Sequence, residues 1–167
     1  MFVLKIVGTV CITGATTLYA RGLVNELSCR IAALKAIKQS FTTLKGELRY
    51  GVETLPSAFM HVGERCSCGQ ETVRDFFWNT GNRLKTENGS ILKEVWEEEA
   101  KKLAAAACLN GNECDNLIAV ADSLGYLDLT QQTNNIELYL QSVDESIEAL
   151  SGKYEQNSRM YMSLGVM

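Results

Sequence analysis

An apolar stretch, FVLKIVGTVCITGATTLYA from Phe2 to Ala20, runs without a Pro into a segment whose apolar residues recur at Leu23, Leu27, Ile31, Leu34, Ile37, Phe41, Leu44 and Leu48. Steps of three and four place the second set on one face of a helix. A membrane-length segment that passes directly into a heptad-like one predicts a single long helix, embedded at its start and packed against other helices at its end. Everything after Tyr50 must then fold back onto that stripe.

The predicted division is a membrane anchor over 1–21 and a helical body over 22–167. Four Thr and two Gly dilute the apolar run, and a span needs ~20 mainly apolar residues, so a buried amphipathic helix of a soluble protein is the alternative. A signal peptide fits Lys5 and the apolar run after it. Its cleavage site is poor, because Leu18-Tyr19-Ala20 puts Leu where a small residue is wanted. For a retained anchor, Arg21, Arg30, Lys35 and Lys38 after the span outweigh Lys5 before it, so the positive-inside rule puts the body in the cytoplasm.

Charge is divided unevenly. Residues 1–50 carry seven Lys or Arg against Glu26 and Glu47, a balance of +5; with −4 overall, the remainder carries −9. Leu103 to Gly152 contains eight acidic residues and no Lys or Arg. Such a body excludes nucleic acid as its ligand, since phosphate binding needs a basic surface that releases counterions. Asp115, Asp122, Asp128, Glu137, Asp144, Glu145 and Glu148 admit two readings. One is a solvated face that keeps the bundle soluble. The other is a docking surface for a basic partner, with Asp115, Asp122, Asp144, Glu145 and Glu148 as its candidate residues.

The single Pro of the chain, Pro56, favours helices throughout. Gly51 is placed to end the long helix and Pro56 to open a second one in its first turn, to about Arg65. A third is expected over about Glu71–Leu84 with Val73, Phe76 and Phe77 inward, and Thr80 and Leu84 as further candidates for that face; Phe76, Phe77 and Trp78 in succession cannot all face one core. Ser90 is the expected N-cap of a fourth, Ile91–Ala106, with Ile91, Leu92, Val95, Trp96 and Leu103 inward and Glu94 and Glu97 to Glu99 on a wet face. After Asn110-Gly111-Asn112 a fifth runs over about 113–124. Gly125 ends it, and Asp128 N-caps a long sixth whose Ile136, Leu140, Val143, Ile147, Leu150 and Tyr154 form a heptad, extended by Tyr161 and Leu164. The predicted fold is therefore all-α, a six-helix bundle bracketed by long N- and C-terminal helices.

No catalytic constellation emerges. His61 is the only histidine, lies mid-helix and has no Gly-rich loop nearby, and neither a P-loop nor a G-x-G-x-x-G occurs. Free thiols suit a cytoplasmic body with six Cys. Cys66 and Cys68 form a C-x-C pair, closer together than structural zinc ligands usually sit. The expectation is a protein that is not an enzyme, with no cofactor, metal or small-molecule substrate.

Three stretches resemble the stage III sporulation protein AB family. Glu47-Leu48-Arg49-Tyr50-Gly51 followed by Thr54-Leu55-Pro56-Ser57-Ala58-Phe59 is similar to its acidic-x-x-Tyr-Gly and Leu-Pro-x-Ala elements. Leu124-Gly125, Asp128 and Gln131 or Gln132 resemble its Leu-Gly-x-x-Asp-x-x-x-Gln turn, and Tyr161 to Val166 resembles its Tyr-x-x-Leu-Gly segment. Family members continue from there into a second apolar helix, whereas this sequence stops at Met167. The resemblance implies a protein of the mother-cell membrane facing the forespore, a subunit of a secretion-like complex built from the stage III sporulation AA to AH proteins. It implies a body like the F-domain of type II secretion and type IV pilus platform proteins, working beside the AA ATPase. A membrane-attached coiled-coil scaffold or regulator in division or signalling is the rival that the two heptad helices would also satisfy.

Overall fold

The structure, a computed structural model, describes the backbone of residues 2–50, 54–66, 70–87, 91–124 and 128–165, and the side chains from 25 to 155 within those ranges. All of the described regular structure is helical: α1 (Phe2–Tyr50), α2 (Leu55–Glu64), α3 (Glu71–Thr86), α4 (Leu92–Ala106), α5 (Gly111–Ala119), a 3-10 turn (Val120–Asp122) and α6 (Leu129–Gly165). The apolar N-terminal stretch and the amphipathic segment are one uninterrupted helix of 49 residues, which at 1.5 Å per residue is about 70 Å long. Gly51, Ser90, Gly125 and the side chains of Tyr161 and Leu164 lie outside the described residues. So do the side chains of the expected anchor. Among the described residues no helix is long and apolar enough to cross a membrane.

Antiparallel packing of α1 against α6 forms the frame. Lys38 of α1 meets Asp144 of α6 at 2.6 Å, and seven residues later on α1, seven earlier on α6, Lys45 meets Glu137. Equal steps of opposite sign fix both direction and register. Along this seam the stripe of α1 faces the core: Leu34, Ile37, Phe41 and Leu44 are fully buried, as are Ile136 and, nearly, Leu140, Val143 and Leu150 of α6. The apolar faces that a dimeric coiled coil would need are thus occupied within one chain.

Trp96 of α4 is the centre of that core. It is fully buried, and the rings of Phe76, Phe59, Phe41 and Phe77 lie with centroids 4.8, 5.3, 6.0 and 6.2 Å from its own. Its indole Nε1 donates to the Leu117 carbonyl at 2.8 Å, which ties α4 to α5. Four elements therefore converge on one side chain. Phe76 and Phe77 both enter the core, and Trp78, the third aromatic of that run, is left 41 % exposed.

The α2–α3 hairpin closes through glycine at both ends. A Cβ on Gly81 would lie 2.6 Å from the Pro56 carbonyl and 3.0 Å from Met60 N; one on Gly63 would lie 3.0 Å from Trp78 N and 3.1 Å from the Arg74 carbonyl. Backbone atoms cannot swing aside as a side-chain tip can. Gly81→Ala should therefore destabilise the fold by about 1–2 kcal/mol in urea unfolding, even though Ala is the better helix former by about 1 kcal/mol. On α6, where nothing lies within 4 Å of a Cβ added at Gly152, the same change should stabilise by about 0.5–1 kcal/mol.

Several boundaries differ from the sequence expectation. α4 starts at Leu92 with Ile91 at the N-cap, with no side-chain cap bond; Ile91 is accordingly an exposed end residue rather than part of the apolar face. α5 starts two residues earlier than expected because Asn110 Oδ1 accepts from Glu113 N at 2.7 Å while Glu113 Oε2 accepts from Asn110 N at 3.0 Å, a reciprocal capping box. α4 ends in the pattern of a Schellman motif: Cys108 adopts φ 54° and Leu109 N donates back to the Ala104 carbonyl at 3.0 Å.

Candidate partner-binding surfaces

Of the five acidic residues singled out as a partner surface, two are ion-paired within the chain. Asp144 points along the α1–α6 seam to Lys38, and Asp122 is paired at 2.7 Å with Lys93 of α4. Glu137, too, is taken up by α1 through Lys45. The cations missing from the acidic half of the sequence come from the basic first helix and from α4. Asp115, Glu145 and Glu148 remain exposed, with no ion pair among the described residues.

On α4 the outer acidic run is compensated locally. Glu97 pairs with Lys101 at 2.6 Å and Glu98 with Lys102 at 2.9 Å; these hydrogen bonds hold both carboxyls below the usual carboxylate range. Glu99 departs from the wet face expected of it. It is buried, accepting from Arg83 Nη1 of α3 and from Lys102 Nζ, each at 2.9 Å. The hydrogen bonds that Arg83 donates to Glu98, Glu87 and Glu99 raise its guanidinium far above the ordinary value. This network joins the wet sides of α3 and α4.

A second surface lies at the pole where α1 ends and α6 begins. Lys45 and Arg49 share a cleft there with Leu129, Thr130 and Thr133. Pro56 stands in the first turn of α2, and Asp128 Oδ1 accepts from Gln131 N at 2.8 Å, an N-cap bond that starts α6. Two of the three motif-bearing stretches thus flank one end of the bundle. Tyr50 is 79 % exposed there with the Arg49 guanidinium 5.6 Å from its ring centroid. Exposed Tyr and Arg side by side are the residue types most often found carrying the energy of protein interfaces.

No nucleophile, base and oxyanion-type donor set comes together among the described residues. Among the described residues no three His, Cys, Asp or Glu side chains converge as metal ligands would. Cys66 Sγ lies 3.2 Å from Ser40 Oγ, and Cys68 is outside the described residues. Cys114 is a poor nucleophile, because burial, and after it the charge of Asp115, push its thiol up. The phenol of Tyr139 is likewise pushed up by burial.

What sequence reasoning missed is a buried ion pair. The Arg30 guanidinium of α1 donates through Nε and Nη2 to the two carboxylate oxygens of Glu113, both at 2.8 Å, and the Glu113 side chain is only 6 % exposed. Asn110-x-x-Glu113 carried the signal for the cap, but nothing in a linear sequence points Glu113 at a residue 83 positions away.

Comparison with known proteins gives a consistent result. The family model of stage III sporulation protein AB matches residues 5–167. Stage III sporulation protein AB of Bacillus subtilis (strain 168) is 24 % identical over 164 residues, covering 98 % of this chain and 94 % of that protein. A solved structure of stage III sporulation protein AB (SpoIIIAB) superposes with a TM-score of 0.67 at 20 % identity, over 76 % of this chain and 97 % of the other.

Proposed function

Since the chain belongs to the stage III sporulation protein AB family and so has a role in sporulation, we propose that it is a membrane-anchored scaffold subunit, without catalytic activity, of a secretion-like complex between mother cell and forespore. In this reading residues 1–21 hold it in the mother-cell membrane facing the forespore. The body, 22–167, stands in the cytoplasm as an F-domain-like platform among other stage III proteins of the AA to AH set. The AA ATPase docks on the body.

The observation that carries this reading is the continuity of α1. One helix joins the apolar N-terminal stretch to the core residues Leu34, Ile37, Phe41 and Leu44 with no joint between them. A rigid strut of that kind transmits position, which is what a platform requires. Convergent polar chemistry of the sort an active site needs is not what the described side chains offer.

The test is fractionation and capture from sporulating cells. The full chain should sediment with membranes and bring down the AA ATPase, and a variant lacking residues 2–20 should be helical and soluble without detergent. A full chain found in the soluble fraction would remove the anchor. A membrane-bound chain that never captures the ATPase under crosslinking would remove that docking assignment while leaving the anchor in place.

A further inference from the structure

We propose that the groove between α5 and α6 is the docking site for a basic amphipathic helix of a partner protein. A cleft of about 420 Å³ lies between them. Its apolar lining comes from Ala119 and Val120 on one wall and from Leu138 and Tyr139 on the other. Leu138 is 62 % exposed, the most exposed of the large aliphatic side chains among the described residues. It sits on α6 in the stripe of Asn135, Ser142 and Glu145, which step by three and four along one helix face. One wall is the last turn of α5 with the 3-10 turn after it, Asn116–Ser123, and the other is about two turns of α6, Asn135–Ser142, the length over which a docked helix presents anchors at i, i+3 or i+4 and i+7.

The charge around this cleft selects the occupant. Asp122 lines it; Asp115 directly precedes the lining residue Asn116 on α5, and Glu145 lies about one turn beyond Ser142 on α6, both exposed and neither ion-paired among the described residues. Lys93, paired with Asp122, is the one cation bonded to this rim among the described residues. An apolar floor inside an acidic rim is complementary to a helix with Leu or Phe on one face and Lys or Arg flanking it. Asp144 and Glu137 take no part, because α1 already neutralises them; Asp122 is likewise paired, with Lys93, so the uncompensated charge of the rim is that of Asp115 and Glu145. The inference depends on the groove alone and on no assignment of which complex the protein joins.

The assay uses the full chain in detergent micelles and contains no other sporulation protein. The probe is a fluorescent 14-residue peptide of Leu and Lys with its Leu at i, i+3, i+4 and i+7, and empty micelles supply the baseline. Protein-dependent anisotropy should appear with this peptide. It should weaken at least tenfold for the scrambled peptide of equal composition, for Leu138→Ser and for Asp115→Lys combined with Glu145→Lys. Higher salt should weaken it as well, and Glu94→Lys, on the exposed side of α4, should leave it unchanged. Three results overturn the proposal: no protein-dependent signal, equal binding of the scrambled peptide, or binding that ignores both groove variants. A dimer by light scattering that disperses on Leu138→Ser would overturn it too, by assigning the groove to a second copy of the chain.

Discussion

Trp96→Ala is expected to lower the unfolding free energy by about 4 kcal/mol, the range for emptying a large aromatic site in a close-packed core, and so to remove much of the stability that a domain of this size holds. Two separate losses combine. Phe41, Phe59, Phe76 and Phe77 all lie within 6.2 Å of the indole centroid, and they come from α1, α2 and α3, so no one helix can shift to fill the void without opening another seam. The Leu117 carbonyl loses the donor that satisfies it at 2.8 Å, which adds the cost of a buried unpaired acceptor. Trp96→Phe separates the two terms: it keeps much of the ring packing and loses the donor, so about half of the full effect should remain. Urea unfolding followed by circular dichroism reads both. A Trp96→Ala protein that melts like the parent would show that the core is organised elsewhere.

The elements were readable in the sequence because each amphipathic helix presents its pattern locally. Of the residues that the spacing selects, Leu34, Ile37, Phe41 and Leu44 on α1 and Ile136, Leu140, Val143 and Leu150 on α6 are buried, while Leu27, Ile31, Leu48, Ile147 and Tyr154 are half-buried. The bracketing of four shorter helices by two long ones follows from that spacing and the turn residues between. Partners across the bundle were not readable. Glu99 looks like one more charge in a wet run, and only the approach of Arg83 from α3 makes its burial tolerable. In the same way the acidic half looked uncompensated because its cations, Lys38, Lys45 and Lys93, lie on other helices. Charge counted along the chain says little about charge in space once α1 and α6 are antiparallel. The groove between α5 and α6 was hidden for a further reason: whether Leu138 is covered depends on what packs beside α6, which neither helix's own pattern records.

Glu113→Ala should be the most damaging single change outside the apolar core, costing about 3 kcal/mol. The carboxylate does two jobs with the same two oxygens. Oε1 and Oε2 receive the Arg30 guanidinium at 2.8 Å each, and Oε2 also receives Asn110 N at 3.0 Å. Removing it leaves a mostly buried guanidinium, 19 % exposed, without its counter-charge, and at the same time opens the cap that starts α5. Glu113→Gln restores an acceptor for Asn110 but not the charge, so it should recover the cap contribution of about 1 kcal/mol and little more. Arg30→Met with Glu113→Met is the decisive variant. If the loss in Glu113→Ala comes from an orphaned charge, removing both charges and filling the space with apolar atoms should bring stability back to within about 1 kcal/mol of the parent, apart from the cap. A double variant as unstable as Glu113→Ala would mean that the capping box, not the ion pair, holds α5 to the bundle. The same comparison bears on the groove, since α5 is one of its walls. A Glu113→Ala protein that still folds should bind the basic amphipathic peptide more weakly although none of its groove residues has changed.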